Sequence, residues 1–165
     1  MGRQSKFAAD SAGGKGVRMQ YAALCWRDIG SGVEVLLITS RDTGRWVLPK
    51  GWPMQGLAPE MAAAQEAWEE AGVEGQVHPV GLGRYGYLKE MGDDRAIPCA
   101  VVVYSLHVSS LADRFPERAE RRREWFTTDA AANLVSEPEL AGLIRGFVPP
   151  MRGRLPPVAA GNLRD

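Results

Sequence analysis

The sequence predicts a layered domain, mixed α/β or α+β. Three observations predict it. β-rich runs lie on both sides of one clear helix, short helical segments close the ordered part of the chain, and no internal repeat is present. Strands, helix, strands, helices is the order of a domain in which helices cover a sheet. A chain of 165 residues fits one such domain. Its 45% hydrophobic and 24% charged residues are ordinary for a globular protein.

The elements follow in order. Residues 1–16 are polar and Gly-rich and read as a flexible tail, leaving 17–148 as the domain and 149–165 as an extended, Pro-containing tail. Tyr21–Trp26 and Val33–Thr39 are strand-like runs, and the Asp28–Gly32 spacer between them predicts a hairpin. Trp46–Leu48 is a short apolar strand ending at Pro49, and a Gly/Pro-rich loop runs on through Gly56. The helix spans Pro59–Ala71: Pro suits its first turn, four alanines favour its interior, and Gly72 stops it. An apolar stripe of Met61, Ala64, Trp68 and Ala71 is expected to be its packing face. Val77–Leu88 and Ile97–Val108 are β-rich runs joined by a polar turn at Met91–Asp94. A charged loop, Ser109–Arg122, leads to a strand at Arg123–Phe126. Thr128-Asp129 caps a short helix to Leu134, and a last helix covers Pro138–Phe147.

Formal net charge is zero, so no global basic field draws the chain to nucleic acid, and an anionic ligand needs a local cation cluster. No evident RNA-binding motif points to a decapping role. Cys25 and Cys99 sit in apolar runs and read as buried free thiols. No apolar run is long enough to span a membrane and the N-terminus has no signal-peptide core, so the expected compartment is the cytoplasm. No heptad pattern marks an oligomer interface.

Chemistry concentrates at Glu66, Glu69 and Glu70. Their i, i+3, i+4 spacing places them as neighbours on a helix, with Cβ atoms about 5–6 Å apart. The alternative is a solvated acidic face, and two costs weigh against it. Like charges at i, i+4 destabilise a helix by about 0.2–0.5 kcal/mol, and acids in the last turns oppose its dipole by about 0.3–1 kcal/mol each. No Lys or Arg between Gly51 and Gly75 offsets either. A hard divalent cation would, and with no nearby His or Cys the oxygen donors suit Mg²⁺ or Mn²⁺.

Gly51-Trp52-Pro53-Met54-Gln55-Gly56-Leu57, then Gln65-Glu66-Ala67-Trp68-Glu69-Glu70-Ala71-Gly72-Val73, resembles the Nudix box, Gly-x5-Glu-x7-Arg-Glu-U-x-Glu-Glu-x-Gly-U with U apolar. Leu57 stands where the family has its first Glu, and Gln65 where it has Arg. Arg45–Gly51 and Arg122–Phe126 resemble the branch of diphosphoinositol polyphosphate phosphohydrolases and diadenosine polyphosphate hydrolases. The resemblance implies a Nudix-type α/β/α sandwich with a mixed sheet, and a pyrophosphohydrolase of polyphosphorylated small molecules. It implies Mg²⁺ (or Mn²⁺) held by Glu66, Glu69, Glu70 and the carbonyl of Gly51. The general base is then Glu69 or Glu70, with Glu117 and Glu120 as alternatives. For the substrate's phosphates, Lys50 is the first candidate, and Arg18, Arg41, Arg45, Arg84, Lys89 and Arg95 could form a rim. Trp52 could stack on a base; His78 and His107 read as structural. A competing reading, suggested by Leu57 and Gln65, is a catalytically weakened binding or regulatory domain.

Overall fold

The computed structural model describes residues 16–150; both predicted tails lie almost wholly outside them. Eleven elements follow in order: β1 Arg18–Asp28, β2 Val33–Thr39, β3 Trp46–Val47, β4 Lys50–Gly51, α1 Pro59–Ala71, β5 Val73–Val77, β6 Gly83–Gly92, β7 Arg95–Leu111, β8 Arg123–Thr127, α2 Thr128–Leu134 and α3 Pro138–Arg145. One mixed eight-stranded sheet runs β3-β2-β1-β7-β5, with β8 on β2, β4 on β1 and β6 on β7. β1 and β7 pair in parallel and the other pairs are antiparallel.

Central strands covered on both faces need apolar residues at every position, which is why β1 and β2 read as near-continuous hydrophobic runs. Ala22, Leu24 and Trp26 face the layer of α2 and α3, together with Val35, Leu37, Val101, Leu140 and Ile144. Ala23 and Cys25 face α1, with Leu36, Ile38 and Leu106. This is the expected α/β/α sandwich. The β1–β2 hairpin turns where Asp28 Oδ1 accepts from Gly30 N–H at 2.8 Å, with Gly30 left-handed at φ 89°. Pro98, inside β7, lies just beyond the end of β1, whose pairing starts at Arg18 opposite Cys99, so its missing N–H falls outside that ladder.

Three expectations need correction. Lys50 and Gly51, read as loop, form a two-residue strand against Ala22 and Tyr21. The run Val77–Leu88 is broken, because β5 starts at Val73, directly after the helix, and β6 only at Gly83. The packing face of α1 is only partly the expected stripe: Ala71 and Ala64 pack on the sheet, and Met61 and Trp68 do not lie beneath the helix. Met61 is 47% exposed, while Ala63, Ala67 and Ala71 have no exposure and stack at four-residue intervals on the sheet. Alanines thus line the contact of the helix with the sheet, and Trp68 packs on Phe115, ring centroids 6.5 Å apart.

Gly72 ends α1 in the left-handed region at φ 69°, as its place in the sequence implies. The α1 end is then capped from a distance. Glu117 N–H donates to Glu69 O at 3.0 Å and Ala112 N–H to Gly72 O at 2.8 Å. Arg123 donates from Nη1 to Ala71 O at 2.7 Å and from Nη2 to Ala112 O at 2.9 Å, with its guanidinium over the Phe115 ring. The β7–β8 loop thus satisfies carbonyls that a helix end leaves without partners. Two charged hydrogen bonds of about 1.5–3 kcal/mol each, partly replaced by water, make Arg123→Ala an expected loss of about 2–3 kcal/mol. Urea unfolding monitored by tryptophan fluorescence checks this, and an unchanged midpoint would contradict it.

Candidate active site

The helix α1 and the strand β4 build the acidic half of the site. Glu66 is 2% exposed and Glu70 8%, both on the side of α1 that turns toward β4. Gly51 lies directly over Glu66: a Cβ there would overlap the carboxylate, and Glu66 Cγ would stand at 2.9 Å. Glu70 accepts from the Lys50 backbone N–H at 3.2 Å. Burial and the neighbouring Glu66 charge push the Glu70 carboxyl up to about 8, against the pull of Arg121 and Lys50. Two carboxylates are thus held together where water cannot screen them, and the arrangement favours a cation.

Glu69 is set apart from this pair. It is half-buried, and its Oε2 accepts from Gln65 Nε2 at 2.9 Å. Gln65, which departs from the family pattern, therefore orients a glutamate of the box. Among the described residues no three side chains of His, Cys, Asp or Glu converge closely enough to hold a metal ion by themselves. Of the expected ligand residues, Glu66 and Glu70 lie buried beside Gly51 on the wall of one cavity. The cationic offset missing between Gly51 and Gly75 comes from β8 and the loop before it. Arg123 sits on the helix end, and Arg121 Nη2 stands 3.7 Å from Glu70 Oε2.

Arg121 is itself tied. It donates to Glu117 Oε1 from Nε at 2.9 Å and pairs with it from Nη2 at 2.8 Å, and its Nη1 donates to Thr39 O at 3.1 Å. Arg41 pairs with Glu120 at 3.0 Å and approaches Glu117 at 3.9 Å. These contacts join the β2–β3 loop to the β7–β8 loop beside the acidic pair. Sequence reasoning did not find Arg121. Its signal is a run of three arginines ahead of Glu124, which does not by itself say which one turns inward.

A cavity of about 260 Å³ opens between these groups and the opposite face of the sheet edge. Lys50, Arg41, Gly51, Glu66 and Glu70 line it, and so do Gln20, Trp52, Tyr87 and Lys89. Strand alternation separates its two halves. Gly51 turns to α1, and Lys50 turns to the other face, where Nζ lies 5.0 Å from the Tyr87 ring. Burial draws the Lys50 ammonium pKa below the ordinary lysine value. Tyr87 Oη donates to Gln20 Oε1 at 2.6 Å, and Lys89 Nζ lies 5.9 Å from the Trp52 ring.

The remaining arginines of the expected rim lie elsewhere. Arg45 bonds Ser136 at 3.1 Å and pairs with Glu137 at 3.5 Å, anchoring the start of α3. Arg84 projects from exposed β6 opposite Val102. Arg95 is exposed at the β6–β7 turn, and Arg18 begins β1. None of the four lines this cavity. His107 stacks on Trp26 at 4.1 Å, and His78 Nδ1 accepts from Val80 N–H at 3.2 Å. Cys25 and Cys99 are buried and free. Burial pushes the Cys25 thiol up to about 12, so alkylation of this cysteine by iodoacetamide at pH 8 is expected only after denaturation. Labelling of the native chain at Cys25 would contradict it.

A model of the NUDIX domain matches residues 19–147. The chain belongs to the Nudix hydrolase family. It is 33% identical over 123 residues to "Nudix hydrolase 16, mitochondrial" of Arabidopsis thaliana, covering 72% of this chain and 67% of the relative. It is 32% identical over 123 residues to human "Diphosphoinositol polyphosphate phosphohydrolase 3-beta", covering 73% and 71%. A Caenorhabditis elegans Ap4A hydrolase binary complex shares the Nudix fold, with a TM-score of 0.57, 19% identity and coverage of 77% of this chain and 92% of that one. The NUDIX domain of Shewanella oneidensis NrtR, solved with ADP ribose, gives a TM-score of 0.58 at 18% identity, over 79% and 88%. No helix of the described residues is long and apolar enough to cross a membrane.

Proposed function

We propose that this Nudix hydrolase is a Mg²⁺-dependent pyrophosphohydrolase that cleaves a phosphoanhydride bond in a small polyphosphorylated molecule. Diphosphoinositol polyphosphates and diadenosine polyphosphates are the substrate types, and the cytoplasm, consistent with two free thiols, is the compartment. One observation carries the reading: Glu66 and Glu70 are buried side by side beneath Gly51, next to a cavity with lysines on its far wall. Glu66, Glu70 and the Gly51 carbonyl would hold Mg²⁺, with Glu69 at the edge of the group. The bound ion supplies charge neutralisation of the phosphate oxygens and a lower pKa for the attacking water.

The chain's own groups do the rest. Lys50 and Lys89 draw the phosphate chain across the sheet edge toward the carboxylates. Water attacks one phosphorus, the anhydride P–O bond breaks, and the leaving phosphate departs with the bonding pair. The water's proton passes to Glu69, the carboxylate that Gln65 orients. Glu117 is already engaged, its Oε1 held by two nitrogens of Arg121.

Phosphate and nucleotide release over a panel of pyrophosphates, with and without Mg²⁺, tests this. Glu69→Gln is expected to lower kcat by about 10²–10⁴-fold, the usual worth of a general base, with KM little changed. A panel without Mg²⁺-dependent turnover would sink the enzyme reading and leave the binding-domain alternative.

A further inference from the structure

A second cavity, of about 230 Å³, lies on the sheet away from the carboxylates and shares no lining residue with the candidate active site. Trp26, on its wall, stands five residues along β1 from Tyr21, which pairs with Gly51. At about 3.3 Å per strand residue the separation is about 17 Å. Strand register builds the wall. β7 runs between β1 and β5, and His107 stands opposite Trp26 on one side and Gln76 on the other. Paired positions share a face of the sheet, and Ser105, two residues back along β7, shares it too. The Trp26 and His107 rings stack, with centroids 4.1 Å apart and planes 9° from parallel, and Phe147 backs Trp26 at 6.1 Å. One face of the imidazole is therefore covered, and the other turns toward β5.

The polar groups around that open face are neutral and of both kinds. Gln76 brings an amide and Ser105, 1% exposed, a hydroxyl, and each can donate and accept. His78 Nδ1 accepts from Val80 N–H, which leaves Nε2 as the donor of the neutral ring. Among the described residues no Lys, Arg, Asp or Glu lines this cavity, in contrast to the catalytic one. A phosphate or carboxylate would meet no counter-charge here, and burying one unpaired is costly. The volume falls below the roughly 300–1,000 Å³ of sites for drug-sized ligands, which suits one ring or two fused rings.

We propose that this cavity is a second binding site, for an uncharged planar heteroaromatic molecule that stacks on the open face of His107. Its ring nitrogens and exocyclic groups bond Gln76, His78 and Ser105 at the ring edge. Trp26 holds the imidazole in place before the ligand arrives, so stacking costs little side-chain entropy. The site takes no part in the hydrolysis proposed above, and neither reading depends on the other.

The test is a titration of the full chain with adenine, followed by NMR of the tryptophan indole N–H groups. Trp26 lines this cavity and Trp52 the catalytic one, so the two sites are read separately. The expected result is a saturable shift of the Trp26 signal with Trp52 unmoved, and excess tripolyphosphate without Mg²⁺ should not compete. Nicotinamide should bind about tenfold or more tightly than nicotinate, which has the same shape and a buried charge to pay for. His107→Ala should weaken adenine about tenfold and His107→Phe, which keeps a ring face, should not. Gln76→Ala, at an exposed position on β5, should weaken it about threefold without disturbing the fold. A Trp26 signal that stays still up to the solubility limit of adenine would overturn the proposal, as would a shift confined to Trp52. Equal affinities for nicotinamide and nicotinate, or native affinity in both His107→Ala and Gln76→Ala, would overturn it as well.

Discussion

Glu70→Gln is expected to lower Mg²⁺-dependent kcat/KM by about 10²–10³-fold, corresponding to several kcal/mol of transition-state charge stabilisation, while making the metal-free protein more stable at pH 8. The two effects have one cause. Glu70 is buried beside Glu66, and its carboxyl titrates near 8, against 4.5 for an ordinary glutamate. A raised folded-state pKa contributes stability that is fully present below about pH 4.5 and is lost as pH climbs through 8. The metal-free native chain therefore weakens across that window. Glutamine does not titrate, and its carbonyl can still accept from the Lys50 N–H that Glu70 now engages. The melting-temperature difference between variant and native chain should grow from near zero at pH 4.5 to a maximum above pH 8. Adding Mg²⁺ should raise the melting temperature of the native chain and leave the variant almost unmoved. A variant that melts below the native chain at pH 8 without metal, or responds equally to Mg²⁺, would show that the pair is not waiting for a cation.

The parts of this site that could be read in the sequence are those fixed by short-range spacing. Helical periodicity puts Glu66 and Glu70 one turn apart whatever the helix packs against, and Gly72 stops α1 because a left-handed residue is needed there. The β1–β2 hairpin and the β8 strand likewise follow from local composition. What could not be read is what depends on contact across the chain. Lys50-Gly51 counts as a strand only because Ala22 and Tyr21 lie opposite. The buried side of α1 was misjudged in part because hydrophobicity ranks Met61 and Trp68 above alanine, whereas Ala63, Ala67 and Ala71 are the residues set against the sheet. Charge partners were the hardest. Arg41, Arg45 and Arg121 look alike in sequence, yet one closes two loops, one anchors α3, and one neutralises the acidic pair. Gln20, in the first strand, carries no motif at all, and only the fold brings it to Tyr87, 67 residues away, at the wall of the cavity.

Gly51→Ala should damage stability and activity together. The added Cβ would occupy the space of the Glu66 carboxylate, which has no room to retreat because Glu66 is 2% exposed beneath β4. Either β4 lifts from its pairing with Tyr21 and Ala22, or Glu66 swings away. Overpacking of this kind costs about 1–3 kcal/mol, and a shift near 1 Å in a catalytic group costs about 100-fold in rate. Both losses are expected together: a lower melting temperature and a fall of about two orders of magnitude in kcat/KM. A general effect of alanine on the loop is separated by shortening the partner. In Gly51→Ala with Glu66→Asp, the carboxylate withdraws by one methylene and the clash eases. That double variant should recover most of the melting temperature and little of the activity, since the withdrawn carboxylate no longer reaches the position set by Glu70 and the Gly51 carbonyl. Additive losses in the double variant would mean that Gly51 and Glu66 do not share the space claimed for them. Full activity in Gly51→Ala would remove the loop glycine from the site. The coupling thus tests the one contact on which the acidic half of the site is built, independently of which phosphoanhydride it cleaves.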